Sequence, residues 1–222
     1  MMIDTLIFDM GNVLIEWDPD KFLHFIETDP DRIRALHQAI FASGIWAKQD
    51  NGEFNAAQAY QSSLSLLNSS YADSLSTFYF YWFRYAQRYL TLQQIAIELK
   101  NIGYKLYILS NTSAVFDDLV SADLLPITDV IDGKVLSYQV KLVKPDNAIY
   151  QHLLDSYQLN AANCLFLDDV NENLEAAQHC GIHTLKVTNQ QQAIADLLSI
   201  LERKGKYRID SLLTLNKGKN DD

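Results

Sequence analysis

What this chain has little of narrows its class first. Only two cysteines, Cys164 and Cys180, and four prolines occur in 222 residues. One cysteine sits in an apolar run and the other near an expected helix end, so free thiols in a reducing compartment are the default reading. His179, Cys180 and His183 lie close together without zinc-ligand spacing, and no zinc site is read there. Scarce proline with a 48% apolar fraction excludes a disordered chain. Positive charge is also short: 18 Lys and Arg against 28 Asp and Glu leave a net charge of −10. That balance argues against a general nucleic-acid or anionic-membrane binder. It leaves a phosphate ester open as substrate, because a bound cation reverses the local field. No stretch approaches the ~18 consecutive apolar residues of a membrane span, and the start shows no basic segment followed by a leader-like apolar run. A cytoplasmic protein is expected, with no internal repeat or low-complexity linker.

What is present begins at the start of the chain. Thr5-Leu6-Ile7-Phe8 is a short apolar run that closes on Asp9, with Gly11 and Asn12 just behind it. Such a run reads as a buried strand, and Gly-Asn predicts a sharp turn through left-handed backbone. Residues 19–89 carry helix signals and no good strand signal. Asp18-Pro19 and Asp29-Pro30 are N-cap and first-turn pairs. Ile33, Leu36, His37, Ile40 and Phe41 recur at one-faced helical spacing. A short helix is expected over 45–49, a turn at Asp50-Asn51-Gly52, and helices over 55–67 and 74–89. The last is apolar nearly all round: Phe78, Trp82, Tyr85 and Tyr89 lie on one face, and Tyr79, Phe83 and Leu90 on another. Core packing is the ordinary role for these rings, and stacking on a ligand is the functional alternative.

From Thr91 strands and helices alternate. Strand-like runs are read at 105–109, 127–131, 164–167 and 183–187, with an extended segment at 135–140 and a hairpin-type signal at Asp132-Gly133. Helices are read over about 113–124, through Ile149 to Tyr157, over 173–180 and over 190–203. This alternation predicts an α/β fold with a doubly wound, Rossmann-like parallel sheet. Residues 205–222 read as a polar tail, expected to be partly mobile, with a small edge element possible at 207–215.

In such a sheet the carboxyl ends of the strands converge on one crevice. Three of the strands here end on polar groups: Asp9, Ser110 and the pair Asp168-Asp169; Lys144 sits just before a helix. Three carboxylates in one crevice repel unless a cation joins them, and hard oxygen ligands suit Mg²⁺. Ser110 and the amides after it could hold phosphate oxygens, and a carboxylate nucleophile is established covalent chemistry. Taken singly, each residue has an ordinary reading as a cap, a turn or a solvated charge.

Phe8-Asp9-Met10-Gly11-Asn12-Val13, Leu109-Ser110-Asn111-Thr112, Lys144-Pro145-Asp146 with Tyr150, and Asp168-Asp169 with Asn173 together resemble the four ordered motifs of the haloacid dehalogenase-like hydrolase superfamily. The Gly-Asn-Val form resembles a subgroup that includes bacterial α-glucose-1-phosphate phosphatases. The resemblance implies a catalytic core of residues 1–16 and 91–204 and an all-helical cap of residues 17–90 inserted after the first strand. It implies Asp9 as nucleophile and metal ligand, and Ser110 and Asn111 as phosphoryl-binding residues. Lys144 would be the neutralising cation, with Lys141 a weaker candidate. Asp168, Asp169 and the Gly11 carbonyl would complete the Mg²⁺ site, with Asn173 supporting the acidic loop. A small phosphorylated metabolite, such as a sugar phosphate, would be the substrate.

One departure matters. Phosphatases of the superfamily carry a second aspartate two residues after the nucleophile as general acid and base, and this chain has Gly11 there. General acid–base catalysis is typically worth ~10²–10⁴-fold. Asp18 is the nearest substitute in sequence, although a helix N-cap is its ordinary role. The missing acid also keeps alive a metal-free 2-haloacid dehalogenase using Asp9, and a catalytically silent phosphate-ligand binder. Retention of Asp168-Asp169 favours the phosphatase.

Overall fold

Thr5–Phe8 forms strand β1, buried along its whole length, in a computed structural model that describes residues 2–209 and Leu212. It is the centre of a five-stranded parallel sheet completed by β2 (Lys105–Ser110), β3 (Gly133–Leu136), β4 (Cys164–Asp168) and β5 (His183–Lys186), in the order β3-β2-β1-β4-β5. Side chains alternate across β1. Leu6 and Phe8 join one apolar cluster and Ile7 joins the other, so both faces are covered, as an all-parallel sheet requires. Phe8 pairs with Ile108 on one side and Leu167 on the other. The strand order therefore reverses at β1, and the crevice opens directly beyond Asp9.

Apart from isolated bridges, the described chain between β1 and β2 is built of helices: α1 (Pro19–Ile26), α2 (Pro30–His37) running on through a π turn at Gln38–Ala42, α3 (Ile45–Asp50), α4 (Ala56–Ser65), α5 (Ala72–Tyr81) and α6 (Leu90–Ile102). The sequence signals account for their starts. The side chains of Asp18 and Asp29 accept first-turn N–H groups, and Asn55 closes a capping box with Gln58. Beyond β2 come α7 (Val115–Ser121), α8 (Ser137–Val140), α9 (Asn147–Tyr157), α10 (Asn171–His179) and α11 (Gln190–Lys204). Helix α6 and α11 cover the face of Leu6 and Phe8, while α9 and α10 cover that of Ile7. Among the described residues no helix is long and apolar enough to cross a membrane.

Three expectations are corrected. Residues 127–131 form no strand: Pro126 starts a 3₁₀ turn over Pro126–Asp129, closed by the Thr128 amide and hydroxyl, which both donate to the Leu125 carbonyl. Asp132-Gly133 is no hairpin. The Asp132 carboxylate takes Lys100 and the Leu106 amide, and Gly133 opens a strand parallel to β2. A Cβ on Gly133 would lie 2.3 Å from the Tyr157 ring, so glycine is needed for packing rather than for a turn. The extended segment at 135–140 stops at Leu136 and becomes α8.

The helix expected over 74–89 also ends early. It gives way at Trp82 to a 3₁₀ turn, Trp82–Tyr85, because the returning chain must pair with the chain that left the sheet. The Glu16 amide donates to the Gln87 carbonyl at 2.8 Å and the Tyr89 amide to the Leu14 carbonyl at 2.9 Å. The exit and return of the helical insert thus run side by side. After α11 the chain passes along Ile3, with a single bridge from Ile3 to Gly205. The remainder of the tail and of the edge element read at 207–215 lies outside the described residues, save Leu212.

Candidate active site

Three strand ends and one loop deliver the charged groups. The Asp9 amide donates to the Leu167 carbonyl at 2.9 Å, which holds Asp9 beside Asp168 at the end of β4. Lys144, 5% exposed, places its Nζ 2.7 Å from both Asp9 Oδ1 and Asp168 Oδ2. The loop carrying it is fixed by Asn111, whose side-chain amide donates to the Lys144 carbonyl at 2.9 Å and accepts from its amide at 2.8 Å. Asp168 is fully occupied: Oδ1 takes the Val170 amide, and Asn173 Nδ2 reaches both oxygens at 3.1 and 3.0 Å. Tyr150 in turn donates to the Asn173 carbonyl at 2.8 Å.

Asn12 has the left-handed backbone expected of the turn, at φ 55°, while Gly11 does not need it. That conformation lets the Asn12 side chain serve two elements. Its Nδ2 donates to Asp169 Oδ2 at 3.0 Å, and its Oδ1 accepts the Trp17 amide at 3.0 Å. Lys186 on β5 binds the Asp169 carbonyl.

The electrostatics follow from one ammonium shared by two buried carboxylates. Burial pushes the Asp9 carboxyl up, to about 7, against the pull of Lys144, and Asp168 adds to the rise. Burial alone would lower Lys144, yet Asp9 and Asp168 more than offset it and raise it, so the lysine stays charged. The pocket is left short of positive charge. Carboxylate oxygens of Asp9, Asp168 and Asp169 lie within 4.8 Å of one another. An all-oxygen, net-negative cluster of this size fits a hard divalent cation.

The crevice above is a cavity of ≈ 210 Å³, lined by Asp9, Gly11, Asn111, Lys144, Asp169 and Asn173 of the expected residues. Asp168 lies beneath it, fully buried. Ser110, Asp18 and Lys141 are not in its wall either. Ser110 is buried at the end of β2, with its Oγ 3.4 Å from the Asn111 carbonyl. Asp18 is exposed and accepts the Lys21 amide as the N-cap of α1, which is its ordinary role. Lys141, the weaker lysine candidate, binds the Gly52 carbonyl instead.

Other wall residues come from the helical insert and its entrance: Trp17, Trp46, Asp50 and Trp82. Trp17 stacks on Trp46 with centroids 5.1 Å apart and meets Trp82 edge-on at 4.7 Å. Trp82 was legible as a ring that could face a cleft. Asp50 was legible only as part of a turn, and no spacing rule ties it to Asp9.

The site can be set beside known proteins. A family model described as haloacid dehalogenase-like hydrolase matches residues 3–181. The chain belongs to that family. Among curated relatives of this haloacid dehalogenase-like hydrolase, the sesquiterpene phosphatase astK of Aspergillus oryzae is 28% identical over 200 residues, covering 88% of this chain and 95% of the relative. A D-ribitol-5-phosphate phosphatase of Bacteroides thetaiotaomicron is 25% identical over 210 residues, covering 90% and 99%. In structure, a HAD family enzyme of Bacteroides thetaiotaomicron solved with magnesium and inorganic phosphate superposes with a TM-score of 0.67 at 21% identity, covering 83% of this chain and 93% of that one. An L-2-haloacid dehalogenase of Xanthobacter autotrophicus superposes at 0.60 and 18%, covering 98% and 88%. The two structures share the fold with this enzyme. The family membership makes it a hydrolase with phosphatase relatives.

Proposed function

We propose that this hydrolase is a Mg²⁺-dependent phosphomonoesterase that works through an aspartyl-phosphate on Asp9. The observation that carries the reading is the joined cluster of Asp9, Asp168 and Asp169 with Lys144 bridging the first two. Asp9, Asp169 and the Gly11 carbonyl would hold the ion directly, and Asp168, whose oxygens are already taken, directly or through water. Mg²⁺ bound there supplies charge neutralisation for the phosphoryl oxygens. A carboxylate oxygen of Asp9 attacks phosphorus, and Lys144 balances the negative charge that Asp9 and the phosphoryl group bring together. Asn111 keeps Lys144 in register, and Asn111 and Thr112 offer polar contacts in the wall. Water then cleaves the Asp9–phosphoryl bond.

In this reading residues 17–90 are a cap over the core of residues 1–16 and 91–204. The cap excludes bulk water and selects the alcohol. The substrate is a small phosphorylated metabolite whose organic part presents an apolar or ring face, since Trp17, Trp46 and Trp82 line the same cavity as the charged groups; a sugar phosphate has such a face. The two relatives are named for very different alcohols, a sesquiterpene and a pentitol phosphate, so both kinds belong in a substrate panel. The free thiols, with Cys164 pushed up to about 12 by burial and so kept unreactive, suit a cytoplasmic enzyme.

The test is release of phosphate from a panel of small phosphate esters with and without Mg²⁺, beside halide release from 2-chloropropionate. Metal-dependent phosphate release that disappears in Asp9→Asn supports the reading. Metal-independent halide release would refute it, and neither activity would favour a silent binder.

A further inference from the structure

On the phosphatase reading, the leaving alcohol needs a proton that Gly11 cannot give. The structure shows what has taken the space. A Cβ on Gly11 would sit 3.3 Å from Trp17 Cβ, with the indole ring just behind, so the place beside residue 11 is filled by Trp17. Trp17 stacks on Trp46, which precedes Asp50 by one helical turn on α3. Three carboxyl groups line the cavity: Asp9, Asp169 and Asp50. Asp9 is the nucleophile and Asp169 is held by Asn12 in the cation cluster. We propose that Asp50, supplied by the helical insert, is the general acid and base of this enzyme.

Its position is built, not incidental. The Asp50 carbonyl accepts from Ser137 Oγ, and the same oxygen accepts the amide of Thr112 at 2.9 Å. One turn of chain around Asp50 is tied to the core twice more, by Gln49 Nε2 to Ser113 Oγ at 2.9 Å and by Lys141 to the Gly52 carbonyl. These contacts hold the end of α3 against the loop that follows Ser110.

The chemistry of the group also fits. Among the described residues no cation lies within ion-pair distance of Asp50. Neighbouring charges are engaged elsewhere: Lys48 over the Phe54 ring, Glu53 with Asn51, Lys141 with Gly52, and Lys144 with Asp9 and Asp168. The other carboxyl groups in the cavity wall are those of Asp9 and Asp169. Burial therefore pushes the Asp50 carboxyl up, to about 7, with the Trp46 indole lowering it only in part. A carboxyl with that value is protonated for part of the enzyme population at neutral pH and can change state between steps.

In the first step an Asp9 oxygen forms a bond to phosphorus, the bond from phosphorus to the alkoxy oxygen breaks, and the Asp50 proton passes to that oxygen to release the alcohol. In the second, a water oxygen bonds to phosphorus and gives a proton to Asp50, and the bond from phosphorus to Asp9 breaks. Inorganic phosphate leaves, and both carboxyl groups return to their starting states.

The experiment compares Asp50→Asn with the wild type on an alkyl phosphate and on p-nitrophenyl phosphate, whose leaving group departs without a proton. The expected loss of kcat/KM is about 10²-fold or more on the alkyl ester and about threefold or less on the aryl ester. A burst of nitrophenolate should appear in the variant, because the second step still lacks its base. The wild-type fall of alkyl-ester kcat/KM above a value near 7 should be absent from the variant. Asp50→Glu should recover part of the alkyl-ester rate. Retained aryl-ester kcat/KM shows that the variant is folded. Equal losses on both esters, or no loss on the alkyl ester, would overturn the assignment while leaving the phosphatase reading intact. No phosphate release by the wild type from either ester would overturn both.

Discussion

Replacing Lys144 by methionine should expose the electrostatic debt at the centre of the site. The ammonium is almost fully buried and touches two carboxylates at 2.7 Å each, so its removal leaves negative charge with no solvent to screen it. Asp168 keeps the Val170 amide and Asn173, so most of the cost falls on Asp9. Breaking a buried ion pair by deleting one partner costs about 3–5 kcal/mol. For a domain of this size, with about 2–4 °C of melting temperature per kcal/mol, the expected drop is about 6–20 °C. The assay is thermal unfolding in EDTA at pH 8 and again at pH 5. With the lysine gone, the folded chain holds a proton on Asp9 that the unfolded chain has released. Stability then falls as pH rises, and the deficit against wild type is larger at pH 8 than at pH 5. Wild-type Asp9 acts with the same sign: its carboxyl lies at about 7 in the folded chain against 3.8 for a free aspartate, so its share of stability is present below 3.8 and lost as pH rises to about 7. A variant with an unchanged melting temperature, or with the same deficit at both pH values, would refute the placement of Lys144 between two ionisable groups.

Two further substitutions separate bystanders from supports. Asp18→Asn should leave turnover unchanged and stability within about 0.5 kcal/mol, because asparagine caps a helix as well as aspartate does, and a fall in turnover would return Asp18 to the site. Ser137→Ala strips a partner from the Thr112 amide and the Asp50 carbonyl at a fully buried position, so a loss of about 1–3 kcal/mol in thermal unfolding and a raised KM are expected, and an unaltered KM would show that α3 does not depend on this contact.

The residues on strand ends were readable because the periodicity of a parallel α/β sheet forces them together. Once β1, β2 and β4 are recognised as strands, Asp9 and Asp168 must sit side by side, and Lys144 has one crevice to enter. Residues 127–131 were misread because four β-branched residues around Asp129 support a strand or a buried turn equally well, and the turn that starts at Pro126 is decided by local hydrogen bonds from Thr128 to the Leu125 carbonyl. Asp50 was not readable as a site residue. Its place depends on how α3 settles on Ser113 and Ser137, more than sixty residues away, and its own neighbourhood in sequence says only that a turn follows. Gly11 announced that a carboxyl was missing, while the identity of the side chain filling its space needed the coordinates of Trp17.

The pairing of Leu14 and Glu16 with Gln87 and Tyr89 has a consequence for how such an enzyme can change over generations. Because the insert departs and returns through adjacent, hydrogen-bonded segments, the sheet meets it as a closed loop, and loop length adds little to the entropy of closure. A different insert could be carried on the same two segments without disturbing Asp9, Lys144 or Asp168. Substrate choice and bond-breaking machinery would then be inherited separately. In this chain the separation is incomplete, since the proton donor travels with the insert. A lineage that exchanged it would have to regain a carboxyl at residue 11, where a side chain would press on Trp17.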